Sequence, residues 1–160
     1  METRNIMIVG VGGQGSLLAS KLLGRLLLGR GYDIKVSEVH GMSQRGGSVV
    51  TYVRYGEKVY SPIIDKGEAD YILSFELLEA ARWTEYLKPG GKIIILDLNK
   101  HPYEIARERY HDTWLGFSRN EIEGWLAAAG FAKISSLVFP ADDGKMKFET
   151  LFARGDKPEK

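Results

Sequence analysis

Short apolar runs broken by glycine and proline set the rhythm of this chain. Ile6, Met7, Ile8 and Val9 form a near-continuous apolar run, the mark of a parallel strand buried on both faces. A glycine turn follows. Residues 16–28 then carry leucines at helical spacing until Gly29, Arg30 and Gly31 stop them, glycine being the usual residue after a helix. Residues 33–37 make a second short strand. Strand, tight turn, helix and strand in close succession predict a βαβ unit with a right-handed crossover.

Residues 41–47 are small and polar, a loop. Residues 48–55 and 58–64 alternate around Gly56 and Glu57, which predicts a β-hairpin. Residues 69–75 are another apolar strand, and residues 77–87 a helix stopped by Lys88, Pro89, Gly90 and Gly91. Residues 92–98, with Ile93, Ile94, Ile95 and Leu96 inside, predict a central strand. A helix over about residues 103–110 comes next. Ser118 and Glu121 stand at capping-box spacing and open a helix that Gly130 closes. Residues 131–139 and 146–153 read as strands joined by a turn over residues 140–145. The expected fold class is α/β: a three-layer α/β/α, doubly wound, Rossmann-like domain. Its sheet is mostly parallel, with an antiparallel C-terminal strand. Residues 1–160 make one domain, with residues 155–160 as a frayed tail.

Charge and composition narrow the function classes. Lys and Arg total 22 against 21 Asp and Glu, a balance that argues against a nucleic-acid or membrane-surface protein. No apolar stretch approaches the roughly 20 residues of a membrane span, and no secretory leader is visible, so the expected location is cytoplasmic. Cysteine is absent, which excludes disulfides, cysteine-ligated clusters and cysteine nucleophiles within this sequence. His101 and His111 lack a third ligand at metal spacing, so no metal site is expected. Burial is the simplest account of Trp83, Trp114 and Trp125. Glu121 and Glu123 belong to a helix cap and a solvated face. No catalytic set can be argued from spacing.

Two clusters remain as candidate chemistry. Gly10, Val11, Gly12, Gly13, Gln14 and Gly15 match G-x-G-x-x-G between a strand and a helix, where glycines let backbone amides and the helix N-terminus, from Ser16, approach an anion. Glu38 lies near the distance at which an acidic residue takes a ribose hydroxyl, and Asp97, ending a central strand, can meet the same ligand. The competing reading is a glycine turn required by close helix–sheet packing alone. The second cluster is the loop with His40, Ser43, Gln44 and Arg45: His40 can serve as an acid–base group and Arg45 as an anion clamp. A partner or subunit contact is the better reading of this loop than catalysis.

The first of these clusters, with residues 35–48, residues 59–62 and residues 86–91, strongly resembles the beta subunit of indolepyruvate ferredoxin oxidoreductases, and the gamma-type domain of the wider 2-oxoacid:acceptor oxidoreductase family. That resemblance covers about residues 5–91 and implies a three-layer accessory module. In that family thiamine diphosphate and iron–sulfur clusters sit in other domains or in a partner subunit. Residues 87–97, 114–118, 122–131 and 148–153 are instead similar to the C-terminal half of class I S-adenosylmethionine-dependent methyltransferases, including their reversed last strand.

Two resemblances meeting near residues 86–92 predict a chimera, engineered or a natural recombinant. Its expected role is a Rossmann-like scaffold without native catalytic activity, monomer or homodimer, that keeps a nucleotide- or anion-binding glycine loop. Two alternatives stand beside it. One is an accessory subunit of a 2-oxoacid (indolepyruvate) ferredoxin oxidoreductase, active with a ferredoxin acceptor only beside a thiamine- and cluster-bearing partner. The other is a binder of S-adenosylmethionine or an adenine (di)nucleotide.

Overall fold

A computed structural model describes residues 2–12, 15–40, 47–110, 113–140 and 148–159. Among them a seven-stranded sheet runs in the order β2-β3-β1-β4-β5-β7-β6. The strands are β1 (Arg4–Val11), β2 (Asp33–His40), β3 (Ser48–Gly56), β4 (Ala69–Ser74), β5 (Leu87–Leu98), β6 (Ala132–Phe139) and β7 (Thr150–Asp156). The helices are α1 (Ser16–Gly29), α2 (Leu77–Trp83), α3 (Ile105–Tyr110) and α4 (Arg119–Ala128). Central β1, β4 and β5 pair in parallel, while β3 and β7 run against their neighbours. The α/β layering and the reversed C-terminal strand follow the expectation.

The period of two along each strand sorts the core into two faces. Met7 and Val9 of β1, Ile93 and Ile95 of β5 and Leu151 and Ala153 of β7 meet Leu77 and Ala80 of α2 and Ile122 and Leu126 of α4. The alternate residues, Ile8 of β1 and Val53 of β3, meet Leu27 and Leu23 of α1. Each Ile or Leu fully removed from water there contributes roughly 1.5–3 kcal/mol. The Ser118–Glu121 capping box is formed as the spacing predicts: Ser118 Oγ accepts from the Glu121 amide, and Glu121 Oε2 accepts from the Ser118 amide at 2.8 Å.

Several expectations are corrected. Residues 48–56 do form a strand, but residues 58–64 do not return as its hairpin partner. Strand β3 inserts between β1 and β2 instead, antiparallel to both, so the strands of the expected βαβ unit share a direction without touching. Residues 57–68 cross the amino-end edge, held where Arg54 donates to the carbonyls of Ser61 and Ile63 and where the Val59 amide donates to Asp33. Helix α2 ends at Trp83, passes through a 3-10 turn (Thr84–Tyr86), and β5 begins at Leu87, ahead of the proline and glycines expected to separate helix from strand. The expected frayed tail is also corrected: Gly155 and Asp156 finish β7, and Lys157 exchanges backbone hydrogen bonds with Gly90 and Gly91. Gly90 and Gly91 can take these bonds because they lie in the bulge of β5 between its pairings with Ala69 and Tyr71.

Candidate functional site

The chain leaves β1 through α1 toward β2 on one side and leaves β4 through α2 toward β5 on the other, so the connections diverge between β1 and β4. In open α/β sheets the crevice outside the carboxyl ends at such a point is where ligands bind. Here it holds a cleft of about 790 Å³ between Val11, Phe75, Asp97, Trp114 and Phe117, with the first turns of α2 on one flank.

From the glycine motif, Val11 lines the cleft among the described residues. Val11 ends β1, and the Gly12 amide donates to the Gly47 carbonyl at 3.0 Å, tying the turn to the start of β3. Gly15, at φ +90°, is the N-cap of α1 and contributes no side-chain oxygen to the helix amides, and Ser16 behind it is buried. A β-carbon at Gly15 would meet nothing within 4 Å, so the left-handed backbone, not crowding, calls for glycine there. Gly13 and Gln14 lie outside the described residues, as do Ser43, Gln44 and Arg45; His40 ends β2, and its side chain is not described.

Asp97 lines the cleft, and its carboxylate is engaged. Its Oδ2 accepts from the Leu77 amide at 2.9 Å and its Oδ1 from the Leu98 amide at 2.7 Å, locking the start of α2 to the end of β5. Glu76 caps the same helix, accepting from the amides of Leu78 and Glu79. Glu38 is elsewhere. It stands opposite Thr51 of β3, itself opposite Ile8 of β1, hence two strand spacings, about 10 Å, from the glycine strand. The inserted β3 is the reason a reading based on adjacent strands misplaces it.

Sequence spacing missed Glu79 and misread Trp114. Glu79 is 4% exposed, accepts from Ser48 Oγ and from Trp83 Nε1, and faces Arg82 Nε at 3.5 Å. It pins α2 to the start of β3. Trp114, expected to be buried, is 64% exposed and stands at the cleft mouth. A half-open indole beside carboxylates and an arginine suits an amphipathic ligand or a protein surface. For Glu79 the signal lay in its contact with Ser48, remote in sequence, which periodicity does not register.

The opposite edge of the sheet is electrostatically tied. Asp70, 5% exposed, meets Arg4 Nη1 at 2.9 Å, Lys88 Nζ at 2.6 Å and the Asn5 amide at 2.8 Å. Burial pushes its carboxyl up, but Lys88, the Asn5 amide and Arg4 together outweigh this and hold it below the usual carboxylate range. Lys92 does the same for Asp156, and the Ser118 amide for Glu121.

The profile of the pyruvate ferredoxin/flavodoxin oxidoreductase family matches residues 5–137. The indolepyruvate oxidoreductase subunit IorB of Thermococcus kodakarensis is 57% identical over 93 residues, covering 58% of this chain and 46% of the relative. IorB of Methanothermobacter thermautotrophicus is 41% identical over 103 residues, covering 64% of this chain and 52% of the relative. The chain thus spans about half the length of the curated relatives it matches. Among solved structures, the 2-oxoglutarate:ferredoxin oxidoreductase of Magnetococcus marinus aligns with a TM-score of 0.50 at 18% identity, over 57% of this chain and 16% of that one, a likeness of fold.

These matches correct the chimera. The family profile runs without interruption through the supposed seam at residues 86–92 and over most of the segments read as methyltransferase-like. In the structure the same place is the first half of β5, which pairs with β4 at Leu87 and again from Lys92 and with β7 from Lys92 onward. With the seam goes the expectation of an engineered scaffold lacking native function. No helix among the described residues is long and apolar enough to cross a membrane. The chain belongs to the pyruvate ferredoxin/flavodoxin oxidoreductase family.

Proposed function

We propose that this chain is an accessory module, of the beta or gamma type, in a 2-oxoacid ferredoxin oxidoreductase acting on indolepyruvate or a similar aryl 2-oxoacid. The observation carrying this is the 57% identity to an indolepyruvate oxidoreductase subunit over 93 residues, a stretch that takes in more than half of the chain. Thiamine diphosphate and the iron–sulfur clusters would reside in the partner subunit; this sequence has no cysteine with which to ligate a cluster.

The module's own contribution is made at the carboxyl edge. The amides of Gly12, Gly15 and Ser16, with the positive end of the fourteen-residue α1, would receive an anionic group of the partner or of a phosphate-bearing cofactor; Gly10, Gly13 and Gln14 belong to the same sequence motif. His40, Ser43, Gln44 and Arg45 are proposed as partner or anion contacts on sequence alone, and Asp97 and Glu79 hold the cleft wall in place from behind. A nucleotide at the glycine turn is compatible with this role, since the cleft lies at the switch point of the sheet.

Mixing the chain with an indolepyruvate oxidoreductase alpha subunit tests the proposal. The expected result is a stable complex whose indolepyruvate-dependent reduction of a low-potential acceptor exceeds that of the alpha subunit alone. Absence of any complex, with a correctly folded chain and a cluster-loaded alpha subunit, would overturn it.

A further inference from the structure

The two edges of the sheet are built differently. At one, β6 pairs with β7 out of step between Ala132 and Ser135, and within that bulge Lys133 takes a left-handed backbone at φ +50° with its side chain exposed. A bulge and an exposed lysine are devices by which an edge strand refuses a further strand. At the other edge β2 is undefended. It pairs with β3 in unbroken register from Asp33 opposite Gly56 to His40 opposite Val49, and its eight residues include no proline or glycine. Lys35, its one lysine, is held along its own strand by Asp33 at 3.0 Å. Val36 and Val39, 48% and 53% exposed, turn to opposite faces. Among the described residues no strand lies beyond β2, so its outer row of backbone groups is unpaired in the sheet.

The flank of α1 above that edge is apolar too. Strands β1 and β2 are parallel members of one sheet joined through α1, so the crossover is right-handed and fixes which flank of the helix lies toward β2. With Ser16, Ser20 and Leu27 buried against the sheet, that flank carries positions 17 and 28, eleven residues and close to three full turns apart. Both are leucines, 44% and 62% exposed.

We infer that β2 is the seam of a two-fold dimer, pairing antiparallel with β2 of a second copy to make one continuous sheet. The occupant follows from the edges. The bulged β6 edge is closed to a further strand, which rules out an open head-to-tail array and leaves β2 on β2, an isologous contact that closes at two copies. A strand of a different protein would pair β2 but leave the Leu17 and Leu28 flank in water, whereas a second copy covers strand and flank by one operation. A two-fold axis normal to the sheet pairs residues of the same face. With the axis at Val36, that valine meets itself, Lys35 meets Ser37, Ile34 meets Glu38 and Asp33 meets Val39. A β-branched pair thus sits at the centre, and no like charges stand directly opposite. The same axis sets the two α1 helices antiparallel on one face, bringing Leu17 of each copy toward Leu28 of the other.

The size fits a modest dimer. Eight residues paired edge to edge exchange roughly eight backbone hydrogen bonds, within the range of a standard interface. A strand about 26 Å long and a layer of sheet and helix about 15 Å thick give a flat footprint on the order of 400 Å² per copy. Flat area understates accessible area, and a contact of this size calls for micromolar affinity. The cleft lies at the carboxyl ends of β1 and β5, away from β2, so this inference does not depend on the oxidoreductase reading.

The chain has no cysteine, so an introduced thiol reports the seam without background. In Val36→Cys the two thiols face each other across the axis, with β-carbons about 5 Å apart, and mild oxidation should link most of the protein into a disulfide dimer. Val39→Cys, whose two copies stand about 20 Å apart along the strands, should stay unlinked under the same conditions. Sedimentation equilibrium of the unmodified chain at roughly 0.1 mM, where weak self-association is populated, should show twice the 17.9 kDa chain mass. Val36→Lys on the strand and Leu28→Glu on the helix flank, both at exposed positions, should each return a monomer with an unchanged circular dichroism spectrum. A monomer for the unmodified chain at that concentration would overturn the inference. So would crosslinking at position 36 no faster than at 39, or a dimer that both substitutions leave intact.

Discussion

The two ends of the sheet are held together by different means. At the amino ends the strands are tied by charge: Asp70 of β4 gathers Arg4 and Asn5 of β1 and Lys88 of β5, Arg54 of β3 reaches Asn5, and Lys157 Nζ donates to the Leu87 carbonyl. At the carboxyl ends the ties are backbone amides and caps, arranged around a cleft: Gly12 to Gly47, Leu77 to Asp97, Phe117 to Leu98. The amino edge has a smaller groove of about 440 Å³ near Gly130 and Lys157, away from any switch point. The lesson is a division of labour. One edge uses buried charge to fix strand order, which leaves the other edge's turns available for a ligand or partner.

The largest expected effect tests whether the carboxyl edge is as firmly built as the amino edge. Gly116 has φ +77°, and a β-carbon there would lie 2.6 Å from the Leu98 carbonyl oxygen and press on that of Asn99. Gly116→Ala should cost about 3 kcal/mol in urea unfolding. A cost below about 1 kcal/mol would mean that the 113–117 wall of the cleft yields easily. Asp70→Asn, at the opposite edge, should cost about 2 kcal/mol in the same assay. The loss stays below that of a fully buried pair because Arg4 and Lys88 are each about two-fifths exposed and can turn to water.

Gly15→Ala should cost about 1 kcal/mol, purely from the left-handed backbone, since space for a methyl is open. If the cost reached that of Gly116→Ala, the glycine turn would be a packing element and not an open turn. The smallest effect is in pH. Asp70, Asp156 and Glu121 are all held below their ordinary values when folded. Their stabilisation is therefore full above the usual carboxylate range, near 4, and is lost as pH falls through the lowered folded values. An acid titration of the melting temperature should decline in that window, and Asp70→Asn should flatten part of the decline.

Much of the architecture was legible because single elements carry their own signals. Residues 92–98 can scarcely be anything but a core strand, and Ser118 with Glu121 announces a helix start by local hydrogen bonding alone. What could not be read was pairing. Residues 48–56 alternate in the same way whether the partner strand is local or remote, so the insertion of β3 between β1 and β2, and the displacement of Glu38 with it, left no trace in the pattern. Pro89, Gly90 and Gly91 read as a stop, yet they lie within β5 because a bulge between its pairings with Ala69 and Tyr71 accommodates them. At the site, the glycine turn and Asp97 were visible from motif and strand end. Glu79 owes its position to a contact with Ser48 that spacing does not encode.

Hydrogen exchange on the chain alone and in complex with an indolepyruvate oxidoreductase alpha subunit puts the working-edge assignment to its most direct trial. Added protection should fall on the amides of residues 10–18 and 113–117 at the carboxyl edge, with residues 68–70 and 87–91 at the amino edge unchanged. Protection confined to the amino-edge amides, or no change at either edge in a complex that demonstrably forms, would contradict the account.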